Sequence, residues 1–350
     1  MNITQTVPNF LGGISQQSDF EKPPGYVQDA KNVYPDITYG LQKRAGSRFQ
    51  YDLGKEDELE GGRWFSVVVE GERPYFGVVL PDKPARAAAV KVWDSTTGAE
   101  QTVAGKFDYL KTNDRDNLSL IWEDFKVVTI NQTSVITNRK CKVKADTAVT
   151  PGTSPMPDNR KITSVAELPE TATKGDIYYI TNGTSELDDY YVKWDGSAWV
   201  ETVKPGISVG INNSTMPHVL VKTDTGFTFG PVDYQDRQVG NENTNPHPSF
   251  VGTYIENSFF YLNRVGFLSQ NNVILSQPLK PDSVSGTLQS PDFYRVSTLT
   301  QSAADPVDIN ASSVRPIVLR SVQPAYQGLV LFADGEQFMM YSEQGVITPQ

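Results

Sequence analysis

Between Pro248 and Pro278 the chain alternates short apolar runs with polar turns. The runs are Phe250–Tyr254, Ser258–Leu262, Val265–Ser269 and Val273–Ser276. Glu256-Asn257, Asn263-Arg264 and Gln270-Asn271-Asn272 separate them. None is long enough for a helix, and β-branched and aromatic residues between Asn-rich turns predict an antiparallel four-strand meander. Asn and Gly accept the positive φ of tight hairpins, while Phe, Tyr, Val and Ile fill a pleated surface. A meander cannot bury both its faces alone, so neighbours are expected, as in a sandwich or the blades of a propeller.

The same texture recurs along the chain. Arg63–Glu70 and Pro74–Leu80 flank a Gly71–Arg73 turn, and Ala87–Asp94 turns at Ser95–Gly98 toward Gln101–Val103. Leu118–Trp122, Lys126–Asn131 and Ser134–Asn138 read as further strands. Leu329–Phe332 and Gln337–Tyr341, followed by Val346, flank an Asp334-Gly335 turn. Thr150–Asp158 carries three prolines and no apolar period, which predicts a linker. After it, Gly175–Thr181, Asp189–Trp194 and Ser197–Glu201 alternate as strands of a compact Tyr/Trp-rich module, with one helical turn near Ser164. The expected fold is all-β: an irregular β-propeller-like platform of short antiparallel hairpins with a small inserted β module. Residues 1–150 would hold an extended segment and the first part of the platform. Residues 151–215 would hold the linker and module, and 216–350 the continuation of the platform, incomplete at its C-terminal end.

Composition narrows the function. Gly and Pro number 27 and 23, and Tyr and Phe 16 each, among 350 residues, a mixture suited to a turn-rich β protein rather than an α/β enzyme. The formal charge of −10 argues against a surface that grips a phosphate backbone, though not against one past which DNA slides. No apolar run is long enough for a membrane span, and Met1–Phe10 has no signal-peptide pattern. Cys141 is the single cysteine, which leaves no internal disulfide or cysteine-based zinc site and fits synthesis in a reducing cytosol.

Candidate chemistry is sparse. His218 and His247 each neighbour a proline and have no second ligand at metal spacing. No Gly-rich phosphate loop or nucleophile motif occurs. Glu186, Asp188, Asp189 and Glu336 could supply a hydrolase pair, but any acidic chain offers such pairs. No catalytic, metal or cofactor residue is therefore assigned. Two sets remain as binding candidates. Lys43, Arg44 and Arg48 form a basic cluster beside Gly40 and Gly46, read either as a solvated turn or as a subunit-bridging patch. Tyr190, Tyr191, Trp194 and Trp199, with Tyr178 and Tyr179, form either cross-strand core pairs or an aromatic partner face.

Several stretches are specific enough to mark a family. They include Leu11-Gly-Gly-Ile-Ser-Gln-Gln17, Gly40-Leu-Gln-Lys-Arg44, Met216-Pro-His-Val-Leu220 and Asn245-Pro-His-Pro-Ser-Phe-Val-Gly252. Further on come Phe259-Phe-Tyr-Leu-Asn-Arg-Val-Gly-Phe-Leu-Ser269, Asn272-Val-Ile-Leu-Ser276 and Asp305-Pro-Val-Asp-Ile309. In content and order the chain resembles the tail tubular protein B, or nozzle, family of short-tailed podovirus-type bacteriophages. The resemblance implies a homohexameric ring in the virion tail, assembled in the host bacterial cytoplasm. That ring prolongs the DNA ejection channel below the tail adaptor, tail tubular protein A, and helps seat the tail fibres. It implies no enzyme, no cofactor and no sequence-specific DNA contact. Family members are usually more than twice this length, so the chain is expected to be a fragment, or only the N-terminal part, of a nozzle. The alternative is a tail-associated carbohydrate-binding or depolymerising protein acting on the host envelope through the Tyr/Trp module.

Overall fold

The computed structural model describes residues 9–68, 74–84, 86–130, 132–185, 187–279, 290–325, 328–341 and 347–349. The expected Gly71–Arg73 turn, residues 280–289 and Val346 lie outside these residues. The chain divides into two units, 1–51 and 52–350.

The first unit is built from two strand pairs. Gly13–Ile14 lies parallel to Tyr26–Val27, and Val33–Asp36 forms a hairpin with Gly40–Lys43. The hairpin turn is set by its own side chain: the Asp36 carboxylate accepts from the backbone N–H groups of Thr38 and Tyr39, at 2.8 and 2.9 Å. Among the described residues of this unit Gly40 alone is buried, while Phe20, Ile37, Tyr39 and Phe49 stand in solvent. Its described residues form no apolar core of their own.

The second unit is all-β, and its described residues form five sheets, none closed on itself. The first sheet runs in order Arg63–Val67, Tyr75–Leu80, Ala89–Asp94 and Glu100–Gln101. The second orders Phe125–Ile130, Thr133–Asn138, His218–Thr223, Gly226–Pro231 and, in parallel, Val103–Gly105. Residues 139–217 thus leave this sheet at one strand and return to it at the next. Within that excursion lies the third sheet, Lys161–Ile162, Ile177–Ile180, Tyr190–Trp194 and Trp199–Thr202. Its outgoing and returning limbs bridge at Ala145 with Ile211 and Val149 with Ser208. The Thr150 hydroxyl donates to the Lys204 carbonyl at 2.6 Å, so the stretch read as a linker is anchored at its start.

The fourth sheet holds Asn257–Tyr261, Arg264–Ser269, Asn272–Leu275 and Val307–Asn310; the fifth holds Leu319–Ala325, Gly328–Ala333 and Gln337–Tyr341. Alternation explains why every residue of Arg264–Ser269 is buried. Val265, Phe267 and Ile274 face a core with Phe250, Ile255, Phe293 and Tyr294. Leu268, Val273 and Leu275 face the opposite core with Leu319, Leu329 and Leu331 of the fifth sheet. The sheet is therefore covered on both faces by its neighbours.

Three of the four expected strands of the meander form. Phe250–Tyr254 does not: Ser249–Gly252 is a turn in which the Val251 N–H donates to the Pro248 carbonyl, and Gly252 takes φ +86°. Pro248 and Gly252 favour the turn, and Phe250 reaches the core from it rather than from a strand. The fourth strand is Val307–Asn310 instead. Leu118–Trp122 is likewise not a strand. It runs extended into a 3-10 turn at Trp122–Asp124, held because the Asp124 carboxylate accepts from the Ile121 N–H at 2.8 Å.

Hairpin turns follow local chemistry. Leu262 and Asn263 take φ +47° and +59° between the first two strands of the fourth sheet, the paired positive φ of a tight I′-type turn. The expected helical turn at Ser164 is a 3-10 turn capped by the Ser164 hydroxyl.

Candidate functional site

Four strands from four sheets, Arg63–Val67, Phe125–Ile130, Asn257–Tyr261 and Leu319–Ala325, are all sheet edges. They neighbour one another in that order, each packing against the next. One side of this seam is closed by a buried carboxylate. Glu256, just ahead of the fourth sheet, is 2% exposed and is surrounded by three guanidinium groups. Arg115 Nη1 reaches Oε1 at 2.8 Å, while Arg139 Nε and Arg320 Nη1 reach Oε2, both at 2.9 Å. Arg139 directly follows the Thr133–Asn138 strand of the second sheet and Arg320 lies in the fifth, so one carboxylate joins three sheets. Burial alone would raise the carboxyl pKa of Glu256. The positive charges and hydrogen bonds of Arg139 and Arg115 outweigh it, and the net shift is downward. Arg320 also pairs with Asp334 at 3.0 Å, and the Thr137 and Ser258 hydroxyls bond across the second and fourth sheets.

The motif residues serve the same scaffold. Arg264, read as a turn residue, opens a strand and is buried. Its Nη1 donates to the carbonyls of Ser276 at 2.9 Å and Asp305 at 2.8 Å, and its Nη2 to that of Ala303 at 2.8 Å. It thereby fixes the loop that delivers the Val307–Asn310 strand. Asn245 bonds to Val239 and Arg295 carbonyls and accepts from the Arg295 N–H. His247 Nδ1 lies 2.7 Å from the Tyr294 hydroxyl.

His218 is a core histidine. Its Nδ1 donates to the Met216 carbonyl at 2.9 Å, and its ring stacks on Tyr109 with centroids 4.3 Å apart. Burial lowers its pKa from 6.5 to about 4, against a smaller raising effect of the Met216 bond. The fold accepts the neutral ring, so its contribution is complete above pH 6.5 and is lost as pH falls toward 4. The expected loss is on the order of 3 kcal/mol. Unfolding of the wild type followed by fluorescence should weaken more steeply between pH 6.5 and 4 than that of His218→Phe. Equal slopes would contradict the assignment.

Cys141 is buried, and burial pushes its thiol up to about 12, which makes it an inert core group. Of the four carboxylates considered for hydrolysis, Glu186 lies outside the described residues and Asp188 is exposed. Asp189 is buried and accepts from the Tyr179 and Thr181 hydroxyls and the Asn182 N–H, a turn-stabilising role. Glu336 accepts from the Ser313 hydroxyl at 2.7 Å. The described residues contain no group of three or more acidic, His or Cys side chains placed to hold a metal.

The aromatic set forms a ladder on the third sheet. Tyr179 and Tyr191 stack at 4.6 Å, Trp194 meets Trp199 edge-on at 5.3 Å, and Trp199 meets Tyr178 at 5.2 Å. Tyr191 and Trp194 are buried, Tyr190 and Trp199 partly so, and Trp199 Nε1 donates to the Pro169 carbonyl at 3.0 Å. Lys43, Arg44 and Arg48 are all exposed, at and just beyond the Gly40–Lys43 strand. None takes part in an ion pair among the described residues.

The bacteriophage nozzle protein family model matches residues 1–165 and 157–350, which together span the chain. The chain belongs to the bacteriophage nozzle protein family. Among curated relatives, tail tubular protein gp12 of Escherichia phage T7 is 34% identical over 189 residues. That match covers 53% of this chain and 22% of the T7 protein, so the chain corresponds to a minor part of that relative's length. Membership places this nozzle-family chain among phage tail proteins with a structural role. No described helix is long and apolar enough to cross a membrane.

Proposed function

We propose that the chain is part of a structural subunit of a phage tail nozzle. Six copies form a ring that prolongs the DNA ejection channel below the tail adaptor and helps seat the tail fibres, in a tail assembled in the host cytoplasm. The observation that carries this reading is the family match along the whole chain. Three features support it. Four edge strands from four sheets pack in succession, an arrangement that suits an open arc of blades in an irregular β-propeller-like platform. In the same reading, residues 151–215 are a module inserted into the platform of 1–150 and 216–350. The described residues of the 1–51 unit expose apolar side chains and form no core of their own, as a segment covered by another subunit or the adaptor would. The net charge of −10 per copy suits a conduit from which DNA is repelled rather than held. The role is non-catalytic, with no cofactor.

Lys43, Arg44 and Arg48 are the proposed subunit or adaptor contacts, because they extend free cations from that coreless unit into a setting of acidic chains. Replacing all three by Ala should leave the melting temperature of the isolated chain unchanged and reduce its incorporation into adaptor-bound tails at least tenfold. Normal tail assembly by the triple variant, measured by co-sedimentation and microscopy, would sink the contact. No observation favours the carbohydrate reading, since the rings that motivated it pack chiefly on one another.

A further inference from the structure

The same seam of edge strands borders a groove of about 630 Å³, within the size range of small-molecule sites. Its charged lining is wholly cationic: Arg63, Lys126 and Arg320. Arg320 is matched by Glu256 and Asp334. Arg63 and Lys126 have no carboxylate partner among the described residues. The Arg63 guanidinium lies 5.5 Å over the Trp122 ring, with its Nε shielded from water and without an acceptor. The Lys126 amine is held below the usual lysine range, first by burial and then by the positive Arg139 and Arg63, with Glu123 and Glu256 opposing. Two half-desolvated cations that repel each other in a chain of net charge −10 are an unfavourable arrangement unless an anion completes it. The groove also has polar groups to orient a ligand, with Thr129, Asn257 and Ser321 among its lining.

We infer that this groove binds a small multivalent oxyanion, a phosphate or polycarboxylate group, with Lys126 and Arg63 as its charged donors. The groove is lined by residues of the first, second, fourth and fifth sheets, so an occupant would lock these sheets together. Its assignment rests on these side chains and stands or falls independently of the role in the tail.

The test is thermal unfolding and titration calorimetry of the full chain in low-salt buffer, with inorganic phosphate or citrate added. Sodium chloride at matched ionic strength is the reference. Either anion at millimolar concentration should raise the melting temperature above the chloride control. Lys126→Gln should unfold no earlier than the wild type without anion, because a repulsion is removed, and should bind at least tenfold more weakly. Arg63→Gln should show the same weakening and serves as the second variant. Response to phosphate alone or to citrate alone identifies the favoured group and supports the site. A wild type that responds no more than to chloride overturns the inference, as does anion stabilisation that persists equally in Lys126→Gln and Arg63→Gln.

Discussion

Glu256→Gln should be among the most damaging single substitutions in the described chain, losing about 3–5 kcal/mol, the range for breaking a buried ion pair from one side. The reason is the company Glu256 keeps. Arg115, Arg139 and Arg320 converge on it from a loop, the edge of the second sheet and the fifth sheet, Arg115 donating to Oε1 and the other two to Oε2. A neutral amide offers one acceptor oxygen and turns an N–H₂ group toward donors that need acceptors, leaving three cations facing one another. In a cooperative unit of this size, the melting temperature should drop by about 10 °C. The pH dependence carries a second signature. The folded pKa of Glu256 is lowered, so its contribution is present above the ordinary carboxylate range and is lost as pH falls through the folded value. The gap between wild type and Glu256→Gln should therefore close in acid. A loss below 1 kcal/mol at neutral pH, by denaturant unfolding, would mean that the guanidiniums are no better placed in the fold than in water.

Gly266→Val should destabilise the fourth sheet by about 3 kcal/mol, the upper part of the range for overpacking a filled core. Gly266 pairs across the sheet with Phe259, whose ring lies where any Cβ at 266 would sit. Its φ is not positive, so the requirement is space and not backbone freedom. The same device recurs in the first sheet, where Phe65 covers Gly77. An aromatic ring laid over a cross-strand glycine fills the pleat without a second side chain. Because the two residues act as a pair, Phe259→Ala combined with Gly266→Val should cost less than the sum of the single changes. An unchanged melting temperature for Gly266→Val would remove this account, and strict additivity would remove the pairing.

Much of the all-β character was legible because its signals are local. Alternation in Val265–Ser269, the asparagine turn at Asn263 and the Asp334-Gly335 turn each act over a few residues. What escaped the sequence depends on partners far along the chain. Phe250–Tyr254 has the composition of a strand, and only the turn at Ser249–Gly252 shows that Val307–Asn310 fills the fourth position. Glu256 reads as one more polar residue in a turn, since its guanidinium partners lie at 115, 139 and 320. Arg264 did leave a signal: a charged residue at the head of a run otherwise buried must find acceptors, and it finds three backbone carbonyls. The aromatic set at 190–199 was ambiguous for a physical reason, because cross-strand pairing and ligand stacking draw on the same residues at the same spacing.

The measurement that bears most directly on the proposed nozzle role is the mass and symmetry of the protein with the proposed tail adaptor, by light scattering followed by electron microscopy. The account predicts a six-fold ring with a central opening of at least about 20 Å, wide enough for a DNA duplex. A species that remains monomeric in the presence of the adaptor, with no ring in the images, would contradict it.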